Sequence, residues 1–283
     1  MRRRDWLLST LALAPAVRSS ATPSAASSSD AVVLNTSGQV LFKHGATHSP
    51  GLPGSTLKPL VLTALLEHKL LKPEERLACP GGFHLGRHNL ECSHVRGAPP
   101  FDAVEALAAS CNFWFATMSR RLGAAGLLAA LRNYGLAAQL TATVEETGLQ
   151  ALGLARVFSS PWTLARAYAQ LLRSSPPAPV VDGLRAAVER GTGQRALSDR
   201  AFIAGKTGTA HGERPGSSVG WFAGWAHRIA AIGHPRSAEG SAEVLETERG
   251  IVFALRVPGG TGGGEAAEQA RILVEKWADS HLG

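Results

Sequence analysis

The sequence predicts a mixed α/β fold of the α+β kind: an antiparallel sheet built from the N- and C-terminal segments, flanked by helices, with an inserted helical lobe at about residues 72–195. Three observations predict it. Short β-type patterns stand at both ends of the chain. Helical periodicity fills the middle. No internal apolar run reaches the 18 or more residues that a membrane span needs. When strands lie at both ends and helices between, the natural closure is one sheet that joins the termini and carries the helices as an insert.

The elements follow in order. Residues 31–34 form a short apolar run. Asn35-Thr36-Ser37-Gly38 has turn chemistry, and residues 39–43 alternate apolar and polar, which together predict a β-hairpin. Pro50, Gly51, Pro53 and Gly54 then interrupt the chain. From 55 to 71 the positions Leu57, Leu60, Val61, Ala64, Leu65 and Leu71 recur at helical spacing. Pro59 fits this helix if it begins near Ser55 or Thr56, because the first four helical N–H groups have no partner inside the helix. Residues 72–100 read as an irregular excursion rich in Gly, His and Pro. Residues 102–137 read as two helices broken around Gly123, residues 147–173 as a further helix, and residues 180–190 as a short one ended by Gly191-Thr192-Gly193. The pattern then turns to strands at 202–210, 220–225 and 251–257, with a polar surface loop over 226–250, a Gly-rich loop at 259–264 and an amphipathic helix at 265–281.

With 283 residues the chain is long enough for one large domain or two closely packed lobes. Hydrophobic residues make up 45% and charged residues 18%, an ordinary globular balance. The formal charge is +7; Arg2, Arg3, Arg4 and Arg18 against Asp5 supply three of those charges, so residues 27–283 carry +4. That mild basicity suits an anionic polymer or lipid surface. No basic-aromatic run or zinc-finger spacing argues for nucleic acid, and none is expected as a partner.

Residues 1–26 read as an export signal, with three arginines, an apolar stretch over 6–14 and small residues at Ala14-Pro15-Ala16; Arg3-Arg4-Asp5-Trp6-Leu7 has the pattern of a twin-arginine signal. Residues 27–30 complete a Ser/Ala-rich linker.

Three short motifs carry the chemistry. Ser55-Thr56-Leu57-Lys58 puts a hydroxyl and an amine on one helix face at i and i+3. A serine hydroxyl is a poor nucleophile until a base takes its proton, and a lysine is such a base once its pKa is lowered. Ser110-Cys111-Asn112 sets polar groups at the end of an apolar helical run, which is costly unless they serve a site. Lys206-Thr207-Gly208 puts a cation on a strand followed by a glycine that admits close backbone approach. Each alone is weak, since S-x-x-K recurs by chance.

Together, in this order and spacing, S-x-x-K at 55, S-x-N at 110 and K-T-G at 206 resemble the penicillin-recognising serine enzymes. The flanks resemble the transpeptidase domains of the penicillin-binding proteins: Pro53-Gly54-Ser55-Thr56-Leu57-Lys58-Pro59, Cys79-Pro80-Gly81, the His94 region, Ala109-Ser110-Cys111-Asn112, residues 160–168 and 183–193, Gly205-Lys206-Thr207-Gly208-Thr209-Ala210 and Trp221-Phe222-Ala223-Gly224-Trp225. The resemblance covers roughly residues 31–225, and makes 31–283 one catalytic domain with a β-lactamase/transpeptidase-like fold.

It implies a peptidoglycan D,D-transpeptidase. Ser55 is the nucleophile on D-Ala-D-Ala stem peptides, Lys58 the general base, Ser110 a proton relay, Asn112 a holder of substrate amide and Lys58, and Lys206 a source of positive potential. Thr207, Gly208 and Thr209 form the substrate-binding strand, with Thr207 and Thr209 on the terminal carboxylate and the N–H groups of Ser55 and Thr209 as the oxyanion hole. β-Lactams acylate the same serine. The implied setting is the periplasm or the outer face of a bacterial cytoplasmic membrane. The chemistry calls for no cofactor and no metal. A wall-synthesis protein partner is implied, because neither a glycosyltransferase domain nor a pedestal domain accompanies the catalytic segment.

The rivals are a D,D-carboxypeptidase, a class D-like serine β-lactamase, for which Glu145 and Glu146 are the carboxylates on offer as deacylation base, and a non-enzymatic β-lactam sensor or wall-complex scaffold. Cys79 and Cys92 enclose His84 and His88 with His94 just beyond, a spacing compatible with a metal site, a disulfide or free thiols; Cys111 reads as a small buried residue.

Overall fold

The computed structural model describes residues 29–212, 214–229 and 250–280. The export-signal reading at 1–26, part of the linker and most of the loop expected at 226–250 lie outside them.

β1 (Asp30–Asn35) and β2 (Val40–His44) form the hairpin expected at the N-terminus. The Asn35 side chain shapes its turn: its Oδ1 accepts from the Gln39 N–H at 2.8 Å and from the Ser37 hydroxyl at 2.7 Å, and Gly38 takes a φ of +92°. After the helical region come β7 (Ala201–His211), β8 (Ser218–Arg228) and β9 (Gly250–Pro258), the last pairing antiparallel with β1. The sheet runs β2-β1-β9-β8-β7, so N- and C-terminal segments share it.

β1, β8 and β9 are buried along nearly their whole length because both their faces are covered. Side chains alternate across a strand, so β9 sends Val252 and Ala254 to one face and Ile251, Phe253, Leu255 and Val257 to the other. The second face packs on α8 (Ala267–Asp279) through Ala267, Ala270 and Val274. The first face packs on the helical region, with Val32, Leu34, Trp221, Ala223 and Trp225 in one core with helix residues.

That region holds α1 (Lys58–Glu67), β3 (Gly82–Leu85), β4 (His88–Glu91), α2 (Ala103–Ala108), α3 (Asn112–Met118), α4 (Gly123–Asn133), β5 (Ala137–Ala138), α5 (Val144–Ala151), β6 (Val157–Phe158), α6 (Pro161–Arg173) and α7 (Ala178–Glu189). Residues 58–65 of α1 are all buried, so this helix runs through the core with no polar face.

Three expectations need correction. The excursion at 72–100 contains an antiparallel hairpin, β3–β4, turning at Gly86. The 102–137 segment breaks a second time at 109–111, where Ser110 adopts φ +54°. The 147–173 helix is two helices: α5 ends at Ala151, β6 pairs with β5, and α6 begins afresh from the Ser160 N-cap with Pro161 at its first position.

Candidate active site

Ser55 sits in a 3-10 turn, Gly54–Leu57, that leads directly into α1. β7 presses on this turn backbone to backbone. A Cβ on Gly208 would stand 2.5 Å from the Pro53 carbonyl oxygen. A Cβ on Gly54, whose φ is +57°, would stand 2.8 Å from the Thr209 carbonyl oxygen and 3.1 Å from its nitrogen. Glycine at these two positions lets the turn and the strand abut. The turn is held from below as well. The hydroxyl of Tyr168, a fully buried α6 residue, donates to the Thr56 carbonyl at 2.8 Å, and the Gly54 N–H donates to the Gly153 carbonyl at 3.0 Å.

Lys58 is the first residue of α1 and has no exposed surface. Its Nζ donates to the Ser110 carbonyl at 2.7 Å, to Asn112 Oδ1 at 2.7 Å and to Ser110 Oγ at 3.1 Å. All three acceptors are neutral oxygens, and burial without a compensating charge pushes the amine from its ordinary 10.5 down to about 7, against an opposing pull from Cys111 and Cys92. The left-handed backbone at Ser110 turns its carbonyl and hydroxyl toward the same amine, a conformation that costs a non-glycine residue roughly 1–2 kcal/mol. Asn112 is braced from the other side: its Nδ2 donates to the Glu91 carbonyl of β4 at 2.9 Å.

Lys206 on β7 is equally buried. Its Nζ donates to the Thr207 carbonyl at 3.3 Å and to the hydroxyls of Thr207 and Thr192 at 3.4 Å. Burial first, and then the charge of Lys58, hold it well below its ordinary value. The hydroxyls of Thr207 and Thr192 lie 2.7 Å apart. Thr209 Oγ1 accepts the Gly262 N–H at 2.9 Å, and a Cβ on Gly262 would fall 2.4 Å from the Gly208 carbonyl oxygen.

Residues from all three motifs therefore meet in one place, with Ser55 partly exposed. Two contributors were not singled out from the sequence as site residues. Thr192 stood only as part of the Gly191-Thr192-Gly193 helix stop. Tyr168 stood only within the 160–168 segment. Glu146 is engaged elsewhere: its carboxylate accepts the Ala142 N–H at 2.9 Å and pairs with Arg156 at 2.8 Å, while Glu145 is exposed beside the Gly86 turn.

The cysteines also converge, in a set other than the spacing offered. Donor atoms of Cys79, Cys92, His94 and Cys111 all lie within 4.8 Å of one another. His84 and His88 are exposed on the β3–β4 hairpin and outside the group.

Comparison with known proteins bears on the family and the fold. The family model described as the penicillin binding protein transpeptidase domain matches residues 13–231. Penicillin-binding protein PbpB of Mycobacterium tuberculosis is 31% identical over 91 residues, which is 32% of this chain and 13% of that relative's length. The matched segment is thus well under two thirds of that protein. Among solved structures, Pseudomonas aeruginosa PBP2 in complex with WCK 5153 superposes with a TM-score of 0.72 at 19% identity, covering 90% of this chain and 75% of the other. The D,D-transpeptidase domain of the peptidoglycan glycosyltransferase from Eggerthella lenta gives 0.71 at 18% identity, covering 92% and 80%. The structural matches speak for the fold; the family match spans most of the chain. The chain belongs to the penicillin-binding protein transpeptidase domain family.

Proposed function

We propose that residues 31–283 act as one catalytic unit, a peptidoglycan D,D-transpeptidase working through a Ser55 acyl-enzyme. The observation that carries this reading is the buried Lys58 amine, three residues from Ser55, held by neutral acceptors and brought to a pKa of about 7. A base with that pKa is half neutral at physiological pH, the condition under which it takes a proton from a serine hydroxyl most effectively.

In the proposed sequence a stem peptide ending in D-Ala-D-Ala lies along β7, its terminal carboxylate on Thr207 and Thr209 and drawn by the charge at Lys206. Ser55 Oγ attacks the penultimate carbonyl as its proton passes to Lys58 Nζ. The oxyanion is received by the N–H groups of Ser55 and Thr209, whose backbones abut through Gly54 and Gly208. Collapse breaks the C–N bond, the leaving D-alanine takes a proton through Ser110, and an acceptor amine then attacks the ester. Asn112 both orients the substrate amide and holds Lys58. A β-lactam enters the same path and stays as an ester. The engagement of Glu146 in a salt bridge and a backbone contact speaks against Glu146 as the water-activating carboxylate of a β-lactamase. We place the reaction at the outer face of the cytoplasmic membrane or in the periplasm, with a wall-synthesis protein as partner.

The test uses a D-Ala-D-Ala pentapeptide with and without an amine acceptor. Equimolar release of D-alanine and a cross-linked product, both absent in Ser55→Ala, are expected. Release without cross-linking at saturating amine would make the chain a carboxypeptidase, and no release would make it a scaffold.

A further inference from the structure

The sheet face that packs on α8 is wider than one helix can span. Five strands about 4.8 Å apart stretch about 19 Å between the outer two, and a helix with its side chains is about 10–12 Å across. α8 lies against β7 and β8 and meets the sheet through Ala267, Ala270 and Val274. Between α8 and the edge strand β2 there remains a groove of about 1110 Å³. Ala31, Val33 and Leu255 form its floor, and Ile272, Leu273 and Trp277 of α8 form one wall. Phe42 and His44 of β2 form the other. They stand opposite Val33 and Ala31 in the ladder, and so share their face of the sheet.

The β2 wall is open and largely apolar. All five residues of β2 are exposed, with Phe42 at 50% and Leu41 at 54%. The α8 residues along the groove run from Gln269 to Ser280, which is about 17 Å of helix. An apolar trough of that length differs from singly scattered exposed residues and marks a binding face.

One sign of charge borders it. Arg228 and Lys276 line the groove, and no Asp or Glu among the described residues does. The Arg228 guanidinium lies over the Trp277 ring, 4.7 Å from its centroid, and its Nη2 donates to the Trp277 carbonyl at 3.4 Å. Its Nε is buried with no hydrogen-bond partner among the described residues. A buried donor without an acceptor is costly, and a carboxylate is the acceptor that suits a guanidinium best.

We propose that this groove is the docking site for one amphipathic helix of a partner protein, its apolar face on Val33, Phe42 and Leu273 and its carboxylates on Arg228 and Lys276. Helices pack about 8–10 Å apart, so a second helix beside α8 lies over β1 and β2. An apolar trough with a cationic border calls for an acidic helix. A second copy suits it poorly, since this chain carries +7 and brings the same cations. Residues 1–28 have the wrong sign too, with four arginines against one Asp. The proposal does not rest on the acyl-transfer reading.

The test uses the full chain and fluorescein-labelled peptides of about 15 residues, long enough to hold a helix. The probe has leucines at i, i+3, i+4 and i+7 and glutamates elsewhere. One control has lysine for each glutamate, and the other scrambles the acidic composition. Fluorescence anisotropy is expected to show saturable binding of one acidic peptide per chain, about ten-fold or more tighter than either control. Phe42→Asp and Arg228→Gln are each expected to weaken it about ten-fold or more with the thermal transition in place; Lys276→Gln serves where Arg228→Gln shifts that transition. No binding of the acidic peptide, equal binding of a control, or unchanged binding in Phe42→Asp would overturn the proposal. Palmitate that displaces the peptide at lower concentration would make the groove a lipid site. A dimer in sedimentation that Phe42→Asp dissolves would make it a contact between copies. Either result overturns the partner helix.

Discussion

Burial sets the protonation of Lys58, and that has two consequences of opposite kind. In the proposed mechanism the neutral amine is the competent form. The acylation rate constant with a penicillin is expected to rise with pH up to about 7 and level off above it, as read from rates between pH 5 and 9. Lys58→Arg keeps the charge and loses the base, so a fall of about 100-fold or more is expected in the same assay. For stability, the folded pKa of about 7 lies below the unfolded value near 10.5, so between these values the unfolded chain binds more protons and stability rises with pH. The slope from this one group approaches about 1.4 kcal/mol per pH unit at most. Denaturant titrations of the wild-type chain and Lys58→Met across pH 7–10 are expected to show that slope lost in the variant; parallel curves would mean that burial does not lower the amine. At this scale the sequence was legible in Ser55, Lys58, Lys206 and the Ser110–Asn112 pair, which the fold brings together, because each lies in a short motif. Thr192 and the partnership of Cys111 with Cys79, Cys92 and His94 were not, because they exist only once distant segments meet.

At the scale of elements, the site depends on how closely a turn and a strand approach. Gly208→Ala would drive a methyl group to 2.5 Å from the Pro53 carbonyl oxygen, so β7 must withdraw from the Ser55 turn. A loss of acylation of about 100-fold or more is expected, the size of losing one oxyanion donor, with circular dichroism little changed. Tyr168→Phe removes the donor to the Thr56 carbonyl and is expected to cost about 1–3 kcal/mol in denaturant unfolding. The strands of the five-stranded sheet were legible from their apolar or alternating runs, and the hairpin β1–β2 from the turn chemistry of Asn35-Thr36-Ser37-Gly38. β3–β4 was not: Phe83, Leu85 and Leu90 are too few among His84, Arg87, His88 and Asn89 to make an alternating pattern. The break at 109–111 escaped because the reversing residue is Ser110, with no glycine or proline to mark it.

At the scale of the whole molecule, one sheet carries both ends of the chain and two cores, one shared with the helices and one with α8. Closure by termini was legible from strands at the two ends, and the layering follows from apolar residues at both parities of β8 and β9. The β8–β9 pairing is continuous from Val219–Pro258 to His227–Gly250, so the ladder is complete without the segment that joins the two strands. Replacing residues 230–249 by a four-residue turn is therefore expected to preserve folding and Ser55 labelling, and to stabilise by about 1 kcal/mol through the shorter loop. A collapse of the thermal transition would show that the segment contributes to the fold. The central claim, an acyl-enzyme at Ser55 that outlives its formation, is tested most directly by intact-mass spectrometry of the purified chain after mixing with penicillin, followed for hours. The account predicts a single adduct of the drug's mass, mapped to Ser55, persistent, and absent from Ser55→Ala. An adduct that disappears within minutes while the drug is hydrolysed, or no adduct at all, would contradict it.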